Sequence, residues 1–310
     1  MTPGQLLLKF YHTPVGRIRN SLRNGGPWAE RETERQRVEM ETAAATLPPL
    51  PDFPGTAPIT LHLMTGRRFW YQTAFCLHSF ARSAGATVHA VIYDDGSIDA
   101  TTAQLLTRLG PGVSIRFQSE LRAQLDLLLP ANRFPVLRER WENYPNIRKL
   151  IDPHLGSVGW KLVIDSDLLF FRHPHFLLAW AADPDRPLHA VDCETSYGYS
   201  RNLMEKLAGG PIADLVNVGL TGLRSDELDW DRLEVWTASL HAAERTSYYL
   251  EQALIAMLVA GRSCRVAPAA DYVTLPRPPE TERPAAVMHH YVADSKRHYF
   301  RTCWRLAIAR

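Results

Sequence analysis

The stretch Trp160–Phe171, WKLVIDSDLLFF, is a run of strand-forming residues interrupted by two carboxylates that one serine separates. Side chains at positions i and i+2 of an extended chain lie on the same side, so Asp165 and Asp167 can face one object. Magnesium and manganese ions, which prefer oxygen ligands, suit such a pair. A strand followed by an Asp-rich turn is the plainer interpretation, and these twelve residues alone do not separate the two.

Strand-like and helix-like segments alternate on both sides of this stretch, which predicts an α/β fold. Such repeated units form a largely parallel sheet with helices on both faces. The pattern predicts, besides the strand that leads to Asp165, strands at 59–64, 87–93, 113–117 and 188–191, and helices at 69–84, 99–109, 120–129 and 251–260.

Polar residues follow the predicted strands at the point where each one ends. Thr65 and Gly66 follow the first strand, Asp94 and Asp95 the second, and Asp192 the strand at 188–191. Ligands of parallel sheets bind at the carboxyl ends of strands. We therefore expect these residues to share one site with Asp165, Ser166 and Asp167.

Composition excludes several classes of protein. The chain has 310 residues, 45% of them hydrophobic, which is enough for a sizeable core, and a net charge of only +2, which argues against a nucleic-acid binder. Its four cysteines are far apart in sequence and form no metal-binding pattern, so a reducing compartment is expected. No apolar run approaches the roughly 20 residues that span a bilayer. These features predict a cytoplasmic protein.

The N-terminal part differs from the rest. Residues 1–40 mix basic side chains with scattered apolar ones, and the Pro-rich stretch 47–54 resembles a stiff linker. We predict an N-terminal extension over residues 1–56 and a catalytic domain over 57–310. The basic segment is interpreted either as a packed or partly disordered extension or as a weak peripheral contact with the inner face of a membrane.

Three later segments are candidates for the same site. Asn217-Val218-Gly219 offers an amide for hydrogen bonds to hydroxyls, although a turn with a permissive glycine is the simpler interpretation. Glu251-Gln252 opens a predicted helix, where acidic residues are favoured whatever their function. Near the C-terminus, His290 has the donor atoms of a metal ligand, and Lys296 has a charge that neutralises phosphate.

In order and spacing, these motifs resemble the retaining glycosyltransferases of the GT-A fold. The set is similar to that of the glycogenin and bacterial lipopolysaccharide galactosyltransferase group, and the similarity covers about residues 58–300. Each motif is short, so the joint pattern carries the specificity. The motifs are Asp165-Ser166-Asp167, Asp192, Asn217-Val218-Gly219, Glu251-Gln252 and His290 with Lys296 six residues later.

The resemblance implies a metal ion and a nucleotide-sugar donor. Asp165, Asp167 and His290 match the positions that hold manganese, or magnesium in its place, together with the donor diphosphate. Lys296 matches a lysine that contacts phosphate. Either Arg148 or Lys149 matches a basic residue that touches the donor, and the sequence does not separate them.

For the transferred sugar, the resemblance implies contacts from Asp192 and Asn217, with Gly219 in the same motif. Glu251 and Gln252 match the acidic-Gln pair next to the anomeric carbon. Thr65, Gly66, Asp94, Asp95 and Ser166 are expected to contact the donor because of their places at strand ends. The implied acceptor is a glycan, a lipid-linked sugar or another hydroxyl compound.

Some positions depart from the family pattern. Ala293 stands where the family usually has glycine, Arg297-His298 where it has Pro-Trp, and Glu251 where aspartate is commoner. The first strand ends in Met64-Thr65-Gly66, without the usual pattern for base recognition. UDP is the expected nucleotide, but this departure leaves its base open.

The resemblance also implies a mechanism. Gln252 is a poor nucleophile, so we expect retention of configuration by attack from the face that the diphosphate leaves, not through a covalent intermediate. Two alternatives belong to other classes. One is a non-catalytic sugar-nucleotide binder with the same fold. The other is a phosphohydrolase of the haloacid dehalogenase type, whose motif also runs from a strand into Asp-x-Asp.

Overall fold

A computed structural model describes residues 26–309 of the chain. The basic N-terminal residues on which the hypothesis of membrane contact rests, Lys9, Arg17, Arg19 and Arg23, lie outside this range. Within it, no helix combines the length and the apolar character that crossing a membrane requires.

Ten strands and twelve α-helices make up the described part of the chain. The strands are β1 (Ile59–Thr65), β2 (Val88–Asp94), β3 (Val113–Arg116), β4 (Trp160–Ile164), β5 (Leu168–Phe170), β6 (Leu188–Val191), β7 (Val216–Arg224), β8 (Arg265–Val266), β9 (Tyr272–Thr274) and β10 (Met288–His290). The helices are α1 (Gly26–Ala44), α2 (Trp70–Ala84), α3 (Ala100–Thr107), α4 (Gln118–Leu128), α5 (Pro135–Asn143), α6 (Arg148–Ile151), α7 (His175–Ala182), α8 (Arg201–Ala208), α9 (Trp230–Glu244), α10 (Leu250–Leu258), α11 (Lys296–His298) and α12 (Trp304–Ala309).

Seven of the strands form the main sheet, in the order β3-β2-β1-β4-β7-β6-β8. All of its pairings are parallel except those of β7, which runs antiparallel to both β4 and β6. The predicted α/β class with a mostly parallel mixed sheet is confirmed. Because β7 is reversed, its amino end lies at the sheet edge where the parallel strands have their carboxyl ends.

Alternation along the strands separates two hydrophobic clusters. Leu61 and Leu63 of β1 belong to one cluster with α2 and the C-terminal helix, whereas Met64 packs against the other, which includes α10. Side chains of successive strand residues point to opposite faces of a sheet, so each face is covered by its own cluster. The sheet is therefore rigidly held from both sides, and its edge is a stable platform for functional side chains.

Local signals in the sequence explain where several helices begin and end. The Asp99 side chain accepts a hydrogen bond from the Thr102 N–H at 2.8 Å and caps α3, as its position before the helix predicts. Gly85 ends α2 with a φ of 58°, a conformation that glycine adopts without a steric penalty.

The stretch 160–171 is divided between two sheets. β4 belongs to the main sheet, whereas β5 joins β10 and β9 in a second sheet of three strands. β5 and β10 are antiparallel, and the register pairs Leu168 with His290. Asp165 and Asp167 thus occupy the crossing from one sheet to the other, and the pairing brings His290 to that crossing.

Helix α1 lies within the predicted N-terminal extension and packs on the rest of the fold. Met40 and Ala44 are buried and belong to the same cluster as α2. The Arg301 side chain donates a hydrogen bond to the Ala29 carbonyl at 2.6 Å. The division of the chain at residue 57 stays a prediction, but α1 contributes apolar surface to the core of the larger unit.

Candidate functional site

Asp165, Asp167 and His290 lie together at the carboxyl edge of the main sheet. One ligand atom from each falls within 4.8 Å of the other two. His290 Nε2 lies 3.6 Å from Asp165 Oδ2 and 3.4 Å from Asp167 Oδ1. Two segments far apart in sequence thus present two oxygens and one nitrogen to a common point.

The polar atoms of this cluster suit a divalent cation. Asp167 Oδ1 is buried and has no hydrogen-bond partner among the described residues. His290 Nε2 lies 3.4 Å from this oxygen, and a buried carboxylate oxygen that forms no hydrogen bond is stabilised when a cation binds to it. Carboxylate oxygens and one imidazole nitrogen form a donor set that magnesium and manganese accept. The residues present therefore fit a metal ion of this kind.

The charges of Asp167 and His290 depend on each other. Burial raises the pKa of Asp167, but the Lys296 ammonium and the His290 ring outweigh that effect and hold this pKa below its ordinary value. Burial lowers the pKa of His290, and the neighbouring Asp167 carboxylate raises it above its ordinary value. The cluster therefore keeps the Asp167 carboxylate ionised, which is the state that binds cations.

Lys296 lies beside the carboxylates. Its Nζ donates to Asp167 Oδ2 at 2.5 Å and lies 3.4 Å from Gln72 Oε1. Gln72 belongs to the first turn of α2 and is buried. Gln72 does not belong to any of the motifs that the sequence contains. The only signal for it was its place just after the end of β1, at the start of a helix that points its first turn at the sheet edge.

The structure separates the two basic candidates before β4. Lys149 Nζ lies 2.8 Å from Asp165 Oδ1 and 3.3 Å from Glu251 Oε2. Arg148 instead pairs with Asp152 at 3.0 Å, and its guanidinium stacks on the Trp141 ring. Lys149 therefore belongs to the cluster of candidate residues. Arg148 is buried next to this cluster, and its contacts are with Asp152 and Trp141.

The Lys149 ammonium is shared by two carboxylates. Burial lowers the pKa of Lys149, but Asp165 and Glu251 outweigh it and raise this pKa. Burial raises the pKa of Glu251 to about 7, because Lys149 offsets the loss of water only in part. Glu251 is therefore enclosed and paired, and it does not stand free as a nucleophile.

Gln252 and Asp192 form a second pair at the same edge. Gln252 Nε2 donates to Asp192 Oδ2 at 2.8 Å and to the Val216 carbonyl at 2.9 Å. Both hydrogens of the amide nitrogen are thus used. The amide oxygen accepts no hydrogen bond from the described residues, so it is the atom that Gln252 offers to a ligand.

Asn217 and Gly219 lie next to His290. Asn217 Oδ1 accepts from the Gly219 N–H at 2.9 Å and lies 3.2 Å from His290 Nδ1. A methyl group added to Gly219 would come within 2.3 Å of the His290 ring. The Gly219 carbonyl also accepts from the Asp165 N–H at 2.8 Å. This motif is part of strand β7 and not of a turn, which corrects the simpler interpretation.

Of the remaining candidates, Thr65, Gly66 and Asp95 follow or end β1 and β2 at the carboxyl edge of the main sheet, where β1 pairs with both β2 and β4. The Asp95 N–H donates to the Thr65 carbonyl at 2.9 Å, and the Asp95 carboxylate occupies the space that a side chain at Gly66 would need. The Thr65 hydroxyl is buried without a partner among residues 26–309. Ser166 is partly exposed between the two metal-binding candidates.

The Asp94 side chain stabilises the loop that follows β2. Its carboxylate accepts hydrogen bonds from the backbone N–H groups of Gly96, Ile98 and Gln118 at 2.8 to 3.1 Å. These bonds use its oxygens to hold the loop after β2. Asp94 therefore shapes the edge on which the other candidates lie, and its side chain is turned into the loop.

Comparison with solved structures identifies the architecture. The crystal structure of mouse xyloside xylosyltransferase 1 in its apo form superimposes with a TM-score of 0.53 at 12% identity, over 77% of this chain and 99% of that one. The galactosyltransferase LgtC, solved with donor and acceptor sugar analogs, gives 0.52 at 12% identity, over 81% and 96%.

This protein has the GT-A fold. The apo structure of the bifunctional glycosyltransferase WbbM also matches, with a TM-score of 0.51 at 13% identity, over 84% of this chain and 52% of that one. No protein-family model matches the sequence, and a search of the curated proteins finds no match. At such low identity the likeness shows the fold alone, and the activity has to be argued from the site.

Proposed function

We propose that this protein is a metal-dependent glycosyltransferase that moves a sugar from a nucleotide-diphosphate-sugar to a hydroxyl acceptor. The observation that carries the proposal is the meeting of Asp165, Asp167 and His290 at the carboxyl edge of a GT-A sheet. Lys296 adds a positive charge beside them. Ligands of open α/β sheets bind at this edge.

The proposed role of the cluster is to stabilise the leaving group of the reaction, a nucleoside diphosphate. Breaking the bond between sugar and nucleotide places negative charge on the diphosphate. Asp165, Asp167 and His290 would hold a divalent ion, which would supply Lewis-acid stabilisation of that charge. Lys296 supplies a second positive charge from the protein itself, in a partly buried position where its attraction is stronger than in water.

The sugar end of the donor is assigned to Gln252, Asp192 and Glu251. Because its amide nitrogen is held by Asp192 and Val216, Gln252 presents a carbonyl oxygen of fixed orientation. Such an oxygen stabilises positive charge at the anomeric carbon but is a poor nucleophile. Glu251 is enclosed with Lys149. This arrangement supports transfer with retention by attack from the face that the diphosphate leaves.

Several finer assignments are part of the same proposal. We assign contacts with the donor to Asn217 Nδ2, Thr65, Gly66, Asp95 and Ser166, with Lys149 as the basic residue in preference to Arg148. UDP is the proposed nucleotide, manganese or magnesium the metal, and a glycan or lipid-linked sugar the acceptor. The proposed location is the cytoplasm, with peripheral membrane contact through the basic residues before position 26.

The test is a screen of nucleotide-sugars with manganese, read by release of the nucleoside diphosphate and by thermal stabilisation. Ligand binding raises the apparent stability by mass action. We expect at least one donor to stabilise the protein and to be turned over, with transfer or with hydrolysis. An Asp167→Asn variant serves as the inactive control. Stabilisation without any turnover would support the alternative of a non-catalytic binder, and no response to any donor would refute the proposal.

The stereochemical part needs its own experiment. Proton NMR of a fresh reaction mixture reports the anomeric configuration of the first product formed. Same-face attack with retention is expected because Gln252 is a poor nucleophile and Glu251 is paired with Lys149. An inverted product, or a covalent glycosyl-enzyme found by mass spectrometry, would contradict same-face attack.

A further inference from the structure

His290 forms a hydrogen bond with Asn217, and a neighbouring backbone N–H shows which of the two residues is the donor. Asn217 has two candidate atoms, an oxygen that accepts and a nitrogen that donates. The atom that faces the Gly219 N–H at 2.9 Å has to be the oxygen, because a backbone N–H only donates. The same oxygen lies 3.2 Å from His290 Nδ1.

This geometry determines where His290 carries its proton. Since the Asn217 oxygen only accepts, the hydrogen bond requires a proton on His290 Nδ1. In the neutral ring the other nitrogen, Nε2, then has a free lone pair. Nε2 is the atom that lies 3.6 Å from Asp165 Oδ2 and 3.4 Å from Asp167 Oδ1. In the neutral ring this nitrogen therefore faces the two carboxylates with its lone pair, whereas in the protonated ring it carries a second proton that faces Asp167.

Gly219 contributes independently to the same arrangement. The His290 ring lies against its Cα, in the space where any side chain would come within 2.3 Å of the ring carbon Cε1. The Gly219 carbonyl accepts from the Asp165 N–H. The Asn217-Val218-Gly219 segment thus touches one candidate ligand through a side chain and the other through its backbone.

We propose that Asn217 is a positioning residue for the metal site, which holds the Nδ1–H tautomer of His290 and so directs Nε2 to the cation. The inference rests on the metal-dependent function proposed above and deepens it. It gives the Asn217 oxygen a task distinct from the sugar contact that the family resemblance implies. Hydrogen-bond partners of this kind, which orient a metal-binding histidine, typically contribute 10–100-fold to metal affinity.

Two variants separate the positioning role from a sugar contact. Asn217→Leu removes the acceptor at nearly constant volume, whereas Asn217→Asp keeps an acceptor at the same place and removes the amide N–H donors. Manganese affinity is measured by titration calorimetry without any nucleotide-sugar. We expect Asn217→Leu to bind manganese roughly 10–100-fold more weakly. Asn217→Asp should bind it within about threefold of the parent or more tightly.

Equal manganese affinity of the parent and Asn217→Leu would overturn the proposal. So would equal losses in both variants, because loss of the amide N–H would then be the cause. Far-UV circular dichroism and thermal unfolding without metal check that each variant is folded. A sugar contact alone would change donor affinity and leave manganese affinity untouched.

A second measurement does not depend on metal. Nitrogen NMR of the protein with labelled histidines, recorded in alkaline solution where the ring is neutral, reports which nitrogen carries the proton. The His290 signal, assigned with His290→Gln, should show the Nδ1–H tautomer in the parent and a shift toward the Nε2–H tautomer in Asn217→Leu. An Nε2–H tautomer in the parent would refute the positioning role. If the tautomer is as expected but the parent binds no manganese, the proposed function fails instead.

Discussion

Asp167 divides its two carboxylate oxygens between two different neighbours. Oδ2 accepts a hydrogen bond from Lys296 at 2.5 Å, whereas Oδ1 is buried 3.4 Å from His290 Nε2 and forms no hydrogen bond within the described part of the chain. The first contact keeps the carboxylate charged, and the second oxygen remains available to a cation. Asp165 is arranged in a similar way, because its Oδ1 accepts from Lys149 at 2.8 Å and its Oδ2 lies 3.6 Å from His290 Nε2.

The first prediction concerns the metal. Asp167→Asn keeps the shape of the side chain but removes its charge, so manganese affinity should fall by more than the roughly 10–100-fold that outer-shell changes cost. Titration calorimetry measures this directly. Asp231→Asn is the matched control, because Asp231 is an exposed acid that pairs with Arg133 at the surface. Manganese binding unchanged in Asp167→Asn would remove this residue from the site.

The second prediction concerns Lys296. Lys296→Met should weaken binding of a nucleoside diphosphate about 10-fold or more, because a hydrogen bond to a charged group contributes about 1.5–3 kcal/mol. Manganese affinity should not fall, since the substitution removes the Lys296 ammonium, which competes with manganese for Asp167. Lys206→Met, an exposed lysine of α8, is the control. Parallel losses of metal and nucleotide affinity would contradict separate roles.

The charged residues of the candidate site could be predicted from the sequence, but which of them pair with one another could not. Arg148 and Lys149 are neighbours with the same charge, and only the direction of the short helix α6 sends one to Asp165 and the other to Asp152. Gln72 was missed because a neutral side chain in an amphipathic helix has no signal of its own. Which charges meet is a property of the folded chain, and motif spacing does not contain it.

At the scale of elements, the strands that alternate with helices were predictable and the reversed one was not. β6 was predicted at its observed bounds, and β1 and β2 to within one residue at each end. The sequence does not predict β7: a turn is the simpler interpretation of Asn217-Val218-Gly219, because asparagine and glycine are poor strand formers. The structure shows why the two glycines are there: His290 lies against Gly219, and Trp180 lies against Gly222.

The third prediction uses these two glycines as a matched pair. A methyl group at Gly219 would meet His290 at 2.3 Å, and one at Gly222 would meet Trp180 at 2.4 Å. Both alanine variants should be destabilised, since overpacking typically costs about 1–3 kcal/mol. Only Gly219→Ala should also lose manganese affinity.

Urea unfolding and metal titration of both variants give the comparison. Normal manganese affinity in Gly219→Ala would show that the His290 ring does not need its observed position. Loss of manganese affinity in Gly222→Ala would show that any distortion of β7 weakens the site, and that the contact between Gly219 and His290 is not the specific cause.

At the scale of the whole molecule, the core contains buried histidines as well as apolar residues. Burial lowers the pKa of His154 to about 3 and that of His62 to about 4. His62 Nδ1 is 2.9 Å from the Tyr93 hydroxyl, and His154 Nδ1 is 2.9 Å from the Ser225 hydroxyl. Both rings are therefore neutral in the folded protein at neutral pH.

The fourth prediction follows from the sign of these shifts. Below about pH 6.5 the unfolded chain binds protons at these histidines and the folded chain does not, so the free energy of unfolding falls as the pH falls. For His62 alone the loss amounts to about 3 kcal/mol at pH 4 and below. Urea unfolding at several pH values measures the slope.

The matched variants for this prediction are His154→Gln and His173→Gln. The first removes a buried ring and should flatten the dependence of stability on pH, while the second changes an exposed one and should leave the slope as it is. An unaltered slope in His154→Gln would contradict the prediction.

The pairing of β5 with β10 also sets when the site can exist during synthesis. Domains emerge from the ribosome starting with their N-terminal residues. Asp165 and Asp167 are made long before His290, yet the antiparallel pairing places His290 directly beside the strand that follows them. A nascent chain that has completed β1 to β7 therefore still lacks His290, the third of the three candidate metal ligands. The complete cluster of Asp165, Asp167 and His290 can assemble only after β10 has been synthesised and has paired with β5.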